Sequence, residues 1–258
     1  MKILVCVKQV HDTESPLEID GDRRWVRDDG PIAFRMNRYD EFALEEAVLI
    51  REALGDVTVD ALSVGPLRFS STLKKSLEKG AANGIHILYE NGGYCPPSLT
   101  AALIAGYARD KSYDLILCGV MAEDDMQCQV GPLIAARLGL PCAVSVVKET
   151  IGPDKKRITA ACELEGGINE IIELPMPCLL TIQSGINRPR YPSLSNVLRA
   201  KEQKLVTVPA DPGLLTRRPE QPVSLSYPEK SSTGMVISGT PEQKAEQLLA
   251  ILHEKSLL

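Results

Sequence analysis

The sequence predicts an α/β protein: a twisted, mostly parallel sheet with helices on both faces, followed by a β-hairpin and an extended C-terminal arm. Three observations carry this. Short apolar runs alternate with segments whose apolar residues recur at helical spacing, from residue 3 to about residue 144. The first of these runs has no polar face, as befits a strand covered on both sides. The chain of 258 residues is 44% hydrophobic but only 4% aromatic, which supplies an aliphatic core large enough for one α/β domain.

The elements follow in order. Residues 3–7 form the first strand. Residues 11–31 are polar and irregular, and Gly21-Asp22 between Leu17-Glu18-Ile19 and Trp25-Val26 reads as a small hairpin laid over the sheet. Residues 39–54 repeat apolar side chains at helical spacing (Phe42, Ala43, Ala47, Val48, Ile50, Leu54), with Glu41, Glu45 and Glu46 in the N-terminal half and Gly55 as the stop. A strand over 57–64 leads through Gly65-Pro66 to a helix over 70–79 that ends at Gly80. Then come a strand over 85–88, a helix over 98–109 entered through Pro96-Pro97, and a strand over 115–118. A loop from Gly119 precedes a helix from about Gln129 to Gly139, and residues 141–144 begin another strand.

After Val146 the texture changes. Residues 157–163 and 169–174 read as a hairpin joined by Glu165-Gly166-Gly167 and ended by Pro175 and Pro177, and residues 179–183 as a last strand. Beyond Gly185 the chain is rich in proline and charge, with a short helix over 194–201 and a final one over 241–253. A segment this long with so little structure of its own is usually functional or bound to a partner. The expected organisation is therefore a domain over 1–185 and an arm over 186–258 that packs on another chain.

A net charge of -5 gives no support for nucleic-acid or anionic-membrane binding. No apolar run approaches the roughly 20 residues that span a bilayer, and the N-terminus lacks the marks of a secretory signal. These features point to a cytoplasmic protein, or to the mitochondrial matrix if the source is eukaryotic. The seven cysteines are scattered without a C-x-x-C pair, so they read mostly as small buried hydrophobes. His11, His86 and His253 lie far apart, and no nucleophile elbow is recognisable.

Three segments fall at carboxyl ends of expected strands, where such sheets bind nucleotides: Cys6-Val7-Lys8, Val64-Gly65-Pro66 and residues 119–131. In the third, Gly119 permits a tight turn and the helix start near Gln129 offers unpaired N–H groups to a phosphate. Gly131 permits close approach of a ligand or a strand. Neither G-x-x-x-x-G-K-[ST] nor G-x-G-x-x-G is present. Of the acids Glu123, Asp124 and Asp125, at least one is expected to cap that helix.

The chain resembles electron transfer flavoprotein beta subunits over essentially its whole length. The ordered motifs are ILVCVKQV at the start, MNRYDEFALEEAV at 36–48, LSVGP at 62–66, and LILCG followed by the acidic loop and QVG. EGG and LPMP within 157–181, and RPRYPSLSNVLRAK at 188–201, complete the series. The resemblance implies an adenine-nucleotide-binding, Rossmann-like fold and an electron-carrying subunit without catalytic residues of its own. It implies a heterodimer with an alpha subunit that holds most of the FAD, and either AMP or a second FAD in this subunit. A second FAD would mark a bifurcating, NADH-oxidising form. By motif, the cofactor would meet Cys6, Asn37, Arg38, Tyr39, Asp40, Val64, Gly119, Val120, Met121, Ala122, Glu123, Asp124, Asp125, Met126, Gln127, Cys128, Gln129, Val130 and Gly131, with Tyr39 near the alpha-bound flavin. Val120 stands where the family usually has a basic residue. Arg190, Tyr191, Leu194 and Arg199 would form a docking loop for an acyl-CoA dehydrogenase-type donor, and electrons would pass on to a quinone-reducing membrane oxidoreductase. A free, ATP- or AMP-binding regulatory protein of universal-stress type shares the general fold and is the alternative.

Overall fold

The computed structural model describes residues 1–28, 32–90, 94–215, 220–229 and 234–258. They form two compact units, Met1–Leu225 and Ser226–Leu258. The division falls well after residue 185. The end of the expected hairpin region (29–31) and two stretches of the expected arm (216–219 and 230–233) lie outside the described residues.

The first unit is built on a sheet of nine strands among the described residues. β1 (Lys2–Cys6) is central, flanked by β4 (Thr58–Gly65) and β6 (Leu115–Gly119), both parallel to it. Beyond β4 lie β5 (Asn83–Leu88) and β11 (Val206–Pro209). Beyond β6 lie β10 (Cys178–Ile182), β7 (Cys142–Ile151), β8 (Arg157–Glu163) and β9 (Asn169–Pro175). The order is parallel from β11 to β7 and antiparallel from β7 to β9. Ile3, Leu4 and Val5 are wholly buried because β1 is covered on both faces.

Alternation along the strands divides the core in two. Ile3 and Val5 pack with α1 (Arg38–Leu54) and α2 (Ser70–Lys79). Leu4 and Cys6 pack with α3 (Pro97–Ala108) and α4 (Val130–Leu138) on the opposite face. α1 begins with Asp40 and Glu41 in its first turn and has Arg51 in its last, charges that suit the helix dipole, and Gly55 ends it at φ +79°.

Four features differ from the sequence expectation. β7 runs on to Ile151, because its first half pairs with β10 and its second half turns to pair antiparallel with β8. β2 (Gln9–His11) and β3 (Phe34–Met36), too short to read from periodicity, pair with each other beneath the expected hairpin. That hairpin is reduced to one bridge, between Ile19 and Val26. Residues beyond 185 also return to the sheet. α5 (Leu194–Glu202) carries buried Ala200 into the core beside α2, and β11 pairs with β5. Leu205 fills the space left by Gly84, where a Cβ would lie 2.6 Å from its Cδ2. α6 (Pro212–Leu215) follows.

The second unit contains α7 (Pro241–Glu254), opened by a capping box in which Thr240 and Gln243 bond each other's backbone N–H. Leu248 and Leu249 remain about half exposed.

Gly131 sets how closely α4 can lie on the sheet, because a Cβ there would overlap Thr181 Cγ2. We expect Gly131→Ala to cost about 1–3 kcal/mol through overpacking. Thr181→Ser in the same chain keeps the hydroxyl that accepts the Ser145 N–H while removing the clashing methyl, and should restore most of the loss. Urea unfolding of the single and double variants checks this.

Candidate functional site

From β1 the chain winds outward through β4 and β5, then crosses back to place β6 on the other side of β1. Strand order therefore reverses between β1 and β6, and a crevice opens at their carboxyl ends. A cleft of about 1160 Å³, counting its open mouth, occupies this position.

Two buried side chains of the α1 N-terminus hold the rims together. Asp40 accepts the N–H of Lys8, just after β1, at 2.7 Å and the N–H of Gly119, at the end of β6, at 3.0 Å. Burial pushes its carboxyl up to about 7, against the pull of these backbone donors. Asn37 gives its amide to the Met121 carbonyl at 2.8 Å and accepts the Glu123 N–H at 3.1 Å, while its own N–H bonds the Lys8 carbonyl. A Cβ at Gly119 would fall 2.5 Å from Asp40 Oδ1 and 2.6 Å from Tyr39 Cβ, so only glycine lets α1 approach β6 this closely.

The acids of the loop after β6 face inward and are matched. Lys8 Nζ donates to Asp124 at 2.7 Å and to Asp125 at 3.1 Å. Burial favours neutral lysine, but the two carboxylates outweigh it and hold the Lys8 pKa above its ordinary value. Glu123 pairs with Arg35 at 3.1 Å and accepts the Arg38 N–H. None of these acids caps α4. The Ncap is Gln129, with no side-chain cap, because Asp124 and Asp125 are drawn to Lys8 before the chain reaches the helix. The first-turn N–H groups of Val130 and Gly131 thus lie at the cleft without a side-chain acceptor.

Of the expected cofactor residues, Cys6, Asn37, Asp40, Val64, Gly119, Val120, Met121, Ala122, Asp124, Asp125, Cys128, Gln129, Val130 and Gly131 line the cleft. Arg38, Tyr39, Glu123, Met126 and Gln127 are not part of the lining, and Arg38 and Met126 are exposed. Met126 and Cys128 take positive φ, and Gln127 bonds the Tyr94 hydroxyl. Cys118 forms part of the floor, and its thiol is pushed up by a hydrogen bond with Cys6 and by burial, so it stays protonated.

Sequence reasoning missed the far wall. Arg68 stacks on the Phe34 ring at 4.1 Å and bonds Gln9 and Asp28, and His11 Nε2 lies 2.9 Å from the other oxygen of Asp28. Burial raises the Asp28 carboxyl, but His11 and Arg68 together hold it below its ordinary value. Trp25 meets Tyr94 with ring centroids 4.8 Å apart. Arg68 follows the Gly65-Pro66 turn and could have been found from that position. The Trp25–Tyr94 meeting joins distant segments and leaves no local signal.

The expected docking residues lie apart from the cleft lining. Asn187 donates to the Phe42 carbonyl and to Glu46. Arg190 binds Glu45 and Glu52, which hold its pKa above its ordinary value, and Arg199 binds the Leu77 carbonyl at 2.8 Å. Both arginines are thus engaged with their own chain, while Tyr191 (96% exposed) and Leu194 (75% exposed) project outward.

The family model for the electron transfer flavoprotein domain matches residues 26–212. Among similar proteins, the electron transfer flavoprotein subunit beta of Bacillus subtilis is 31% identical, with 99% of each chain covered. Those of Methylophilus methylotrophus (32%, 98% of each chain) and Homo sapiens (31%, 98% of this chain and 97% of that one) are comparable. The chain belongs to the electron transfer flavoprotein beta-subunit family. Beta subunits of electron transfer flavoproteins are electron-carrier components rather than catalysts. The reading as a free regulatory protein falls away. No helix among the described residues is long and apolar enough to cross a membrane.

Asp40→Asn tests the rim clamp. An amide oxygen can accept one of the two N–H groups, and the amide nitrogen then faces the other. We expect a loss of about 1–3 kcal/mol by urea unfolding, with faster hydrogen exchange across 119–128.

Proposed function

We propose that this subunit pairs with an alpha subunit carrying the redox-active FAD, and that its own cleft holds an adenine nucleotide, AMP in preference to a second FAD. The observation that carries the reading is the uncapped start of α4 at the point of strand reversal. It offers the N–H groups of Val130 and Gly131 to one phosphate. Charge argues for a single phosphate. Among the described lining residues, Lys8 is matched by Asp124 and Asp125, and Arg68 by Asp28. That leaves little surplus positive charge for a pyrophosphate. The Gln129-Val130-Gly131-Pro132 run favours the second reading by resemblance, a bifurcating form with two FAD and NADH as donor.

In the proposed pair, FAD supplies the redox chemistry. This chain supplies a rigid wall beside it, with Tyr39 next to the Asp40 clamp, and a surface for the donor. The segment carrying Tyr191 and Leu194 is the docking surface for an acyl-CoA dehydrogenase-type donor. Exposed apolar side chains on a firmly held segment are the pattern of a binding hot spot. Onward transfer is to a quinone-reducing membrane oxidoreductase. Residues 226–258, with the half-exposed Leu248 and Leu249 of α7, are the part of the arm we assign to the alpha subunit. The working compartment is the bacterial cytoplasm, or the mitochondrial matrix in a eukaryote.

Mass spectrometry of nucleotides released by denaturing the purified complex should find one AMP and one FAD. Two FAD with no AMP would replace the first reading by the second. Leu194→Ala should slow electron transfer from the donor by roughly tenfold, the equivalent of about 1.4 kcal/mol, with flavin content unchanged. An unaltered rate would remove the docking assignment.

A further inference from the structure

Behind the docking segment, two carboxyls meet with too few hydrogens between them. Glu46 of α1, 8% exposed, lies in hydrogen-bond contact with Glu149 of β7. The Asn187 amide nitrogen spends one hydrogen on the Phe42 carbonyl at 3.0 Å and the other on Glu46 Oε2 at 2.7 Å. Asn187 Oδ1 and Glu149 Oε2 are buried without a hydrogen-bond partner. Ionised carboxylates are acceptors only, so a Glu46–Glu149 contact requires a proton on one of them.

Among the described residues, no cation is paired with either carboxyl. On α1 the adjacent Glu45 adds negative charge and is engaged by Arg190. Arg190, from the segment itself, is committed to Glu45 and Glu52. From β8, the residue opposite Glu149 is Ala160, which is apolar and buried. Burial first, and then the Glu46 charge, raise the Glu149 carboxyl to about 7.

We propose that Glu149 is a positioning residue that holds one proton, shared with Glu46, and that this proton keeps Glu46 bonded to Asn187 and so clamps residues 187–193 to α1. Asn187 is the link, since it reads Glu46 directly and stands three residues before Arg190. With the proton lost, the buried Glu46 and the half-buried Glu149 carboxylates repel each other, the Glu46–Asn187 bond is strained and the segment loosens. The effect on donor transfer rests on the docking role proposed above. The folded carboxyl sits above its ordinary range. The stabilisation is therefore complete below that range, declines as pH rises through about 7, and is absent above it.

Glu149→Gln supplies a permanent donor at the same position. The test uses the two-subunit protein, with trypsin cleavage after Arg190 followed by mass spectrometry. At about pH 8.5 the wild type should be cut several-fold faster than E149Q, and at about pH 6 equally fast. A wild-type to variant ratio that does not change with pH overturns the proposal. If E149Q does not fold, Glu46→Gln carries the same comparison, since its amide oxygen can still accept from Asn187. Electron transfer from the donor should slow with rising pH in the wild type relative to E149Q. Cleavage that follows the pattern without any such change in transfer would uphold the clamp and remove the docking assignment.

Discussion

One buried carboxylate organises the working end of this molecule. Asp40 stands in the first turn of α1 and takes a backbone N–H from each strand that borders the point of strand reversal. The backbone ladder between those strands ends where the cleft begins. A charge-assisted bond to each rim holds the gap at a set width, and Gly119 is the absence of side chain that lets the carboxylate reach. Asn37, one turn earlier, extends the same bracing to the acidic loop. The cleft is thus shaped by a helix that lies mostly outside it.

That construction suits a carrier. Most ionisable groups around the cleft are matched by neighbours in the same chain: Lys8 with Asp124 and Asp125, Arg35 with Glu123, Arg68 and His11 with Asp28. A catalyst needs a group whose proton or electron pair is free for substrate. Here such groups are used to stiffen the walls, and the contact left for a ligand is largely backbone. The same economy governs the segment carrying Tyr191 and Leu194, whose arginines fix the segment while its apolar side chains face out.

Much of this was legible in the residues. β8 (Arg157–Glu163) and α2 (Ser70–Lys79) match their expected limits because each is a clean periodic run closed by an unambiguous stop. The loop after β6 stood out because a glycine directly follows an apolar strand. β11 was not legible: it has four residues, half of its character comes from β5, and the chain around it reads as a polar tail. β7 was cut short because its register shifts where it exchanges one kind of neighbour for another. Within the site, resemblance named Asn37 and Asp40 only as cofactor contacts, and their bracing of the rims was not legible, since no local pattern says which strand ends a helix will bridge. The expectation that an acid caps α4 failed for a related reason: Lys8 is distant in sequence but near in space.

The two borders of the sheet end alike. β11, laid along β5, finishes at Pro209, and β9, laid along β8, finishes at Pro175. A proline has no N–H to donate, and β9 also carries Glu170 and Glu173. Stray strands, including those of a second copy, find poor templates there. These edges favour recognition of a companion by the relief and chemistry of side chains over extension of the ladder.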